Sequence, residues 1–186
     1  MELIEFITQK VNFTEQECQE INEAFHTETY NKGALLIKSG SYSDRIFFIE
    51  QGLVRIFYYK EDKDITQFFS DQGTFTASLS SFTDGKPEPY GWEVLEPTTV
   101  RVIAYKDLQN LFTRIPMLQQ VFLYVCFDLI NMFSLKLESI QFQTAEQRYT
   151  AMMETYPGIL LRVPLGHIAS YLGITQQTLS VIRGRR

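Results

Sequence analysis

Residues 165–186 read LGHIASYLGITQQTLSVIRGRR. Counted from Leu165, Ala169 falls fifth, where a small side chain lets two helices cross closely. Gly173 falls ninth, at a turn, where a residue without Cβ takes a positive φ. Ile168, Leu172, Ile174, Leu179 and Ile182 fall on the inward positions that close a helix pair. Seven positions thus match one helix-turn-helix template, in order and at fixed offsets. The second helix of such a unit has the shape that enters the DNA major groove. Thr175 is placed to cap it, and Gln176, Gln177, Thr178 and Ser180 fill its exposed N-terminal half, where base edges are met. Glutamine offers two hydrogen bonds to adenine N6 and N7, which suits an A·T-containing half-site. Arg183, Arg185 and Arg186 suit phosphates.

Charge is divided in the same way. Residues 162–186 carry four arginines and no acid, a net +4. The whole chain carries −5, which leaves −9 on the other 161 residues. A basic end on an acidic body fits a small DNA-reading head on a larger regulatory body. At 186 residues and 45% hydrophobic content the chain suits one compact domain or two small ones, with ample core. There is no run of about 18 uncharged apolar residues and no export signal at the N-terminus, so no membrane span is expected and a cytoplasmic location is. Cys18 and Cys126 stand far apart and read as buried or half-buried free thiols.

Upstream of the closing motif, Pro164 suits a helix start, residues 159–163 read as a short strand, and 144–156 read as a helix ended by Pro157-Gly158. A long helix is expected over about 117–141, with two adjacent apolar stripes. Leu123, Cys126, Ile130, Phe133, Leu137 and Ile140 form one; Leu118, Phe122, Val125, Leu129 and Met132 form the other. Two stripes need two apolar surfaces. The barrel of the same chain can cover one and the same helix of a second chain the other; a single helix sunk in a monomer core is the alternative. A short helix is expected over 106–112.

Between Gly33 and Lys106 the pattern changes to short apolar runs at 35–37, 46–49, 54–59, 65–69, 92–94 and 100–104, punctuated by glycines. This spacing points to an antiparallel barrel or jelly roll, with Gly52 at a tight reversal between two strands. Residues 1–30 contain an amphipathic helical stretch, capped by Thr14 with Glu17 completing a capping box; His26 falls near its end.

The order of barrel, long helix and head resembles the Crp/Fnr family of bacterial transcription regulators. The matching segments are RIFFIEQGLVRIFYY, the frame Gly73-Thr-Phe75…Leu79…Phe82, TAEQRY and HIASYLGITQQTLS. The resemblance implies an α+β fold: an antiparallel, cyclic-nucleotide-binding-like β-roll with flanking helices, a long dimerisation helix and a C-terminal helix-turn-helix. The implied division is 1–116, 117–142 and 143–186. Nucleotide receptors of that family hold a cyclic phosphate with a glutamate, an arginine and a following serine or threonine. Here Ser78 falls at the glutamate, and Pro89 and Tyr90 fall, to within a residue, at the other two. Glu88 beside them would repel a phosphate. Cyclic AMP is therefore not the expected effector. Thr76, Ala77, Ser78, Leu79, Ser80 and Ser81, with Pro89 and Tyr90, either line a pocket for another ligand or belong to a roll kept as scaffold.

No cofactor is expected. Two distant cysteines cannot hold an iron–sulfur cluster, and the barrel contains no histidine for a cupin-like metal. His167, in the head, suits a surface or phosphate contact. The resemblance implies a homodimer, double-stranded DNA with a pseudo-palindromic operator, and RNA polymerase as partners. The family commonly has a basic residue where Val181 stands. A ligand sensor or protein-interaction module that has lost DNA binding is the alternative. Enzymatic activity is not expected, since no paired carboxylates, Cys/His arrangement or Gly-rich phosphate loop stands out.

Overall fold

The structure, a computed structural model, describes residues 1–185; Arg186, one of the expected phosphate contacts, lies outside them. Two short helices come first, α1 (Leu3–Thr8) and α2 (Glu15–Ala24). Thr14 starts α2: its Oγ1 accepts the Glu17 N–H at 3.3 Å, and the Glu17 carboxylate accepts the Thr14 N–H at 2.8 Å. The roll follows: β1 (His26–Tyr30), β2 (Leu35–Ile37), β3 (Arg45–Gln51), β4 (Leu53–Lys60), β5 (Lys63–Asp71), β6 (Phe75–Ala77), α3 (Leu79–Asp84), β7 (Gly91–Val94) and β8 (Thr98–Ala104). Helices complete the chain: α4 (Tyr105–Arg114), α5 (Leu118–Phe142), α6 (Ala145–Thr155), α7 (Ile159–Arg162), α8 (Leu165–Leu172) and α9 (Gln176–Gly184).

The strands form two four-stranded antiparallel sheets, ordered β1-β8-β3-β6 and β2-β7-β4-β5. Phe47, Ile49, Val54, Ile56, Trp92, Val94, Val100 and Val102 fill the space between them. Gly52 lies between β3 and β4, but these strands belong to different sheets. It is therefore a crossing point, not the expected reversal. Its φ of +105° and the 2.2 Å that would separate an added Cβ from Thr98 Oγ1 both require glycine.

Two local expectations are corrected. The first helical region ends at Ala24, and His26 begins a strand whose Thr27 and Thr29 pair with Arg101 and Thr99 of β8. β-Branched residues beside an open sheet edge favour the ladder over a further helical turn. Residues 159–162 form helix α7 in place of a strand. Ile159 and Val163 are buried while Leu161 is 93% exposed, a spacing of four that a helix satisfies and an alternating strand does not.

The long helix uses its two stripes differently. Leu118, Val121 and Val125 are buried against the roll and α4, with Phe122, Leu129 and Met132 packed beside them. Each fully buried side chain of this kind contributes roughly 1.5–3 kcal/mol, so this stripe anchors the helix. Leu123, Cys126, Ile130, Phe133, Leu137 and Ile140 are exposed. Cys126 is thus not half-buried as expected; it sits on the outer stripe, of which Phe133 also reaches the roll and packs edge-on against Phe68 of β5. By length and composition α5 is also apolar enough to cross a bilayer, although it contains no uncharged run of that length. A span would meet lipid around its circumference, whereas Leu118, Val121 and Val125 are taken up by the chain's own core.

Candidate nucleic-acid interface and roll interior

The head is built on one small core. Ile168, Ala169, Leu172, Leu179 and Ile182 are all buried, and Gly173 ends α8 with φ +67° in the left-handed region. The Thr178 N–H donates to Thr175 Oγ1 at 3.1 Å, capping α9. With Leu179 and Ile182 turned inward, Thr175, Gln176, Gln177, Thr178, Ser180, Arg183 and Arg185 are exposed on the outer side. A Cβ added at Gly166 would come within 3.0 Å of Gln176 Nε2, so α8 supports that amide closely. Arg185 pairs with Glu146 at 2.9 Å across a solvent-exposed gap, an interaction that water and salt readily replace. Val181, also exposed, stands among these polar groups.

The head is docked on the roll. Leu53, Phe69 and Leu95 of the roll share a hydrophobic cluster with Tyr149, Met152, Tyr156, Ile159, Ile168 and Leu172. The Tyr156 hydroxyl donates to the Phe69 carbonyl at 3.1 Å, and burial pushes that phenol well above its usual range. Arg162 donates to both carboxylate oxygens of Asp71 (2.7 and 2.8 Å), to Glu96 (2.7 and 3.1 Å) and to the Gly52 carbonyl (3.2 Å). Its hydrogen bonds to Asp71 and Glu96 hold its guanidinium above its ordinary range. One of the four arginines of the basic end is therefore engaged by the body, not by a nucleic acid.

A second polar contact centres on Arg55, only 3% exposed within β4. It donates to Glu93 (2.6 and 2.9 Å), to Asp64 (2.9 Å from Nη2) and to His167 Nδ1 (2.8 Å). Burial, then the Arg55 charge, lower the His167 imidazole below its ordinary 6.5. The expected phosphate or surface residue thus faces the roll. Ser170 Oγ, one turn on, accepts the Thr66 N–H at 2.9 Å and donates to the Asp64 carbonyl at 3.2 Å. An arginine inside the strand run VRIFYY was the sequence signal for this contact. A charge in a half-buried strand needs a partner, but the partner lies 112 residues away.

Inside the roll the expected pocket residues separate. Ser78 is fully buried and caps α3, accepting the Ser81 N–H at 3.3 Å. Its hydroxyl donates to Glu88 Oε2 at 2.7 Å. Glu88 is 2% exposed, and its Oε1 accepts the Tyr90 N–H at 3.1 Å. The residue that meets the Ser78 hydroxyl is thus Glu88, next to the expected pocket residue Pro89. Ser81 extends the chain to the Lys86 carbonyl at 3.1 Å, while Thr76 Oγ1 accepts the Trp92 indole N–H at 2.5 Å. Ala77 and Ser80 are partly buried nearby, whereas Leu79 and Pro89 are exposed and line nothing inside. Tyr90 packs edge-on against Tyr58. The arrangement presents a buried carboxylate with a hydrogen bond to each of its oxygens. Among the described residues no three metal-ligating side chains converge.

Residues 27–114 match the family of the cyclic nucleotide-binding domain. No curated protein matches the chain. The chain is similar to the structure of a double mutant of CooA from Carboxydothermus hydrogenoformans, with 20% identity and a TM-score of 0.70, covering 96% of this chain and 81% of that one. It is also similar to the c-di-GMP-responsive global regulator CLP of Xanthomonas campestris, with 13% identity and a TM-score of 0.72 over 92% and 91% of the two chains. For FixK2 of Bradyrhizobium japonicum the values are 16% and 0.70, over 87% and 83%. At such identities the likeness is one of fold. Residues 27–114 therefore have the β-roll fold of the cyclic nucleotide-binding domain, set in an α+β architecture that these structures share over nearly the whole chain.

Proposed function

We propose that this chain is a homodimeric, DNA-binding transcription regulator of the Crp/Fnr type whose roll does not take a cyclic nucleotide. The observation that carries the reading is the outer face of α9. Gln176, Gln177, Thr178, Ser180, Arg183 and Arg185 are all exposed there, on a helix whose inner face is fixed by Leu179 and Ile182. Gln176 and Gln177 read base edges from the N-terminal half, Thr175 fixes the helix start, and Arg183, Arg185 and Arg186 meet phosphates. The exposed stripe from Leu123 to Ile140 is the dimer seam, which sets two heads for half-sites about 34 Å apart. The functional units are 1–116, 117–142 and 143–186. A cytoplasmic location and contact with RNA polymerase go with this role.

The roll interior supports the negative half of the proposal. Placing a phosphate beside Glu88 would set like charges together in a region from which water is excluded, and Lys86 is engaged outside, with Asp84 at 3.6 Å. Fluorescence anisotropy on fragments of the source genome tests the DNA role. Competitor-resistant binding whose affinity falls with salt is expected; its absence at moderate salt overturns the reading. Val181 favours a second reading, a sensor or interaction module without DNA binding. A pull-down from cell extract that recovers protein and no DNA would support it.

A further inference from the structure

Beside Phe68 of β5, a cleft of about 410 Å³ opens between α5, α6 and α8. Its size falls in the range of small-molecule sites. One wall is apolar, with Met132, Leu135 and Met152. The other holds two cations. Lys136 Nζ donates to the Tyr171 carbonyl at 2.7 Å and lies 3.4 Å from the centre of the Tyr171 ring. Arg148 Nε donates to the Leu172 carbonyl at 2.9 Å, and its Nη1 to the Gln143 carbonyl at 2.7 Å. Neither cation makes an ion pair among the described residues. Burial, and then the nearby Arg148, lower Lys136 to about 8. A third polar group, Gln143 Oε1, is buried in the same cleft without a donor, a state that buried acceptors rarely keep.

The cleft and the apolar seam use different sides of α5. At ~100° per residue, the cleft residues Asp128, Leu135 and Ser139 lie on the side opposite the stripe of Leu123, Ile130 and Leu137. A partner helix seated on that stripe leaves the cleft open. Asp128 and Glu138 stand at its border, so a single negative charge is accommodated there better than several.

We propose that this cleft binds a small amphipathic monocarboxylate. The carboxylate sits between Lys136 and Arg148, a hydroxyl or amine of the ligand donates to Gln143 Oε1, and its apolar body lies on Met132, Leu135 and Met152. Such a ligand touches the roll, the long helix and the head together. It therefore stabilises the pose in which the head is docked. The site does not depend on the DNA role, and its test reads no DNA.

The test uses the full chain with [methyl-13C]methionine, followed by NMR during titration with 4-hydroxyphenylacetate. Met132 and Met152 should shift saturably while Met1 and Met117, away from the cleft, stay fixed. The neutral 2-(4-hydroxyphenyl)ethanol and the variant Lys136→Met should each bind at least roughly tenfold more weakly. Leu135→Trp places a bulky ring at an exposed position of the wall and should block binding with an unchanged melting temperature; it serves also if Lys136→Met fails to fold. Absence of saturable shifts up to about 10 mM acid, equal binding of the neutral compound, or shifts that survive in the folded variants overturn the proposal.

Discussion

Ser78 with Glu88 in the roll, and Gln176 with Gln177 in the head, are both pairs of polar residues close in space to a small helix start. They differ in what their hydrogen-bonding groups meet. In the roll, the serine hydroxyl and the carboxylate satisfy each other out of contact with water, and Tyr90 supplies a further donor. In the head, both glutamines are exposed on a helix held rigid from behind, with the Gln176 amide resting beside Gly166. Satisfied buried groups have little left to offer a ligand, whereas exposed amides exchange water for a partner at small loss. The region named for a ligand is thus the closed one, and the outer helix is the one free to bind.

The sharpest break in that comparison is at the seam. Ile130→Glu alters a residue that is exposed in the single chain, so the fold should persist. Burying two like charges in the proposed dimer seam should abolish association, and operator affinity should fall on the order of 100-fold, since one head loses the linkage to the other. Sedimentation and anisotropy read the two effects. Smaller is Gln176→Ala, expected to weaken a cognate site by roughly 1–3 kcal/mol and relax preference at one base pair; a panel of single-base variants measures it. Glu88→Ala should take the carboxylate from the Tyr90 N–H and leave the Ser78 hydroxyl only Ser81 Oγ, destabilising the fold by about 1–3 kcal/mol. That lowers the melting temperature by roughly 2–4 °C per kcal/mol for a chain of this size. Cyclic AMP should not raise the melting temperature of the unaltered protein; a clear rise would remove the contrast between roll and head.

Thr175→Ala removes the cap of α9 and should cost about 1 kcal/mol, visible as weaker DNA binding and earlier melting of the head. The smallest expected effect is with pH. The His167 imidazole in the docked head lies below its ordinary 6.5, so the unfolded or undocked state takes up a proton first. Stability therefore falls as pH drops through about 6.5 toward the lower folded value, and is regained above it. Protonation also removes the Nδ1 acceptor used by Arg55. Hydrogen exchange of α8 at pH 5.5 and 7.5 should show faster opening in acid, and His167→Gln should flatten that difference.

Much of this was legible because it depends on local chemistry. Thr14 with Glu17 begins α2, Thr175 caps α9, Gly173 takes the left-handed turn, and the three-and-four spacing on α5 separates a roll-facing stripe from an exposed one. Each depends on neighbours within one or two turns of chain. The misreadings lie where distant partners decide. Residues 26–30 become a strand because β8 pairs with them, and 159–162 become a helix because burial of Ile159 and Val163 sets the spacing. That Glu88 meets Ser78 turns on how the chain between α3 and β7 is seated, including the hydrogen bond from the Glu88 N–H to the Ser41 carbonyl.

By itself, the sequence determined the order of roll, long helix and head and the face of α9 that remains polar. Periodicity, caps and turn glycines carry that information within short segments. Only the tertiary structure decided that the head rests on the roll through Arg55, His167 and Arg162, that Ser78 and Glu88 close on each other, and that Lys136 and Arg148 border one cleft. These contacts join residues from 10 to 112 positions apart. Their pairing follows from how two sheets and a long helix bring buried charges within reach of their partners, a geometry that no local pattern encodes.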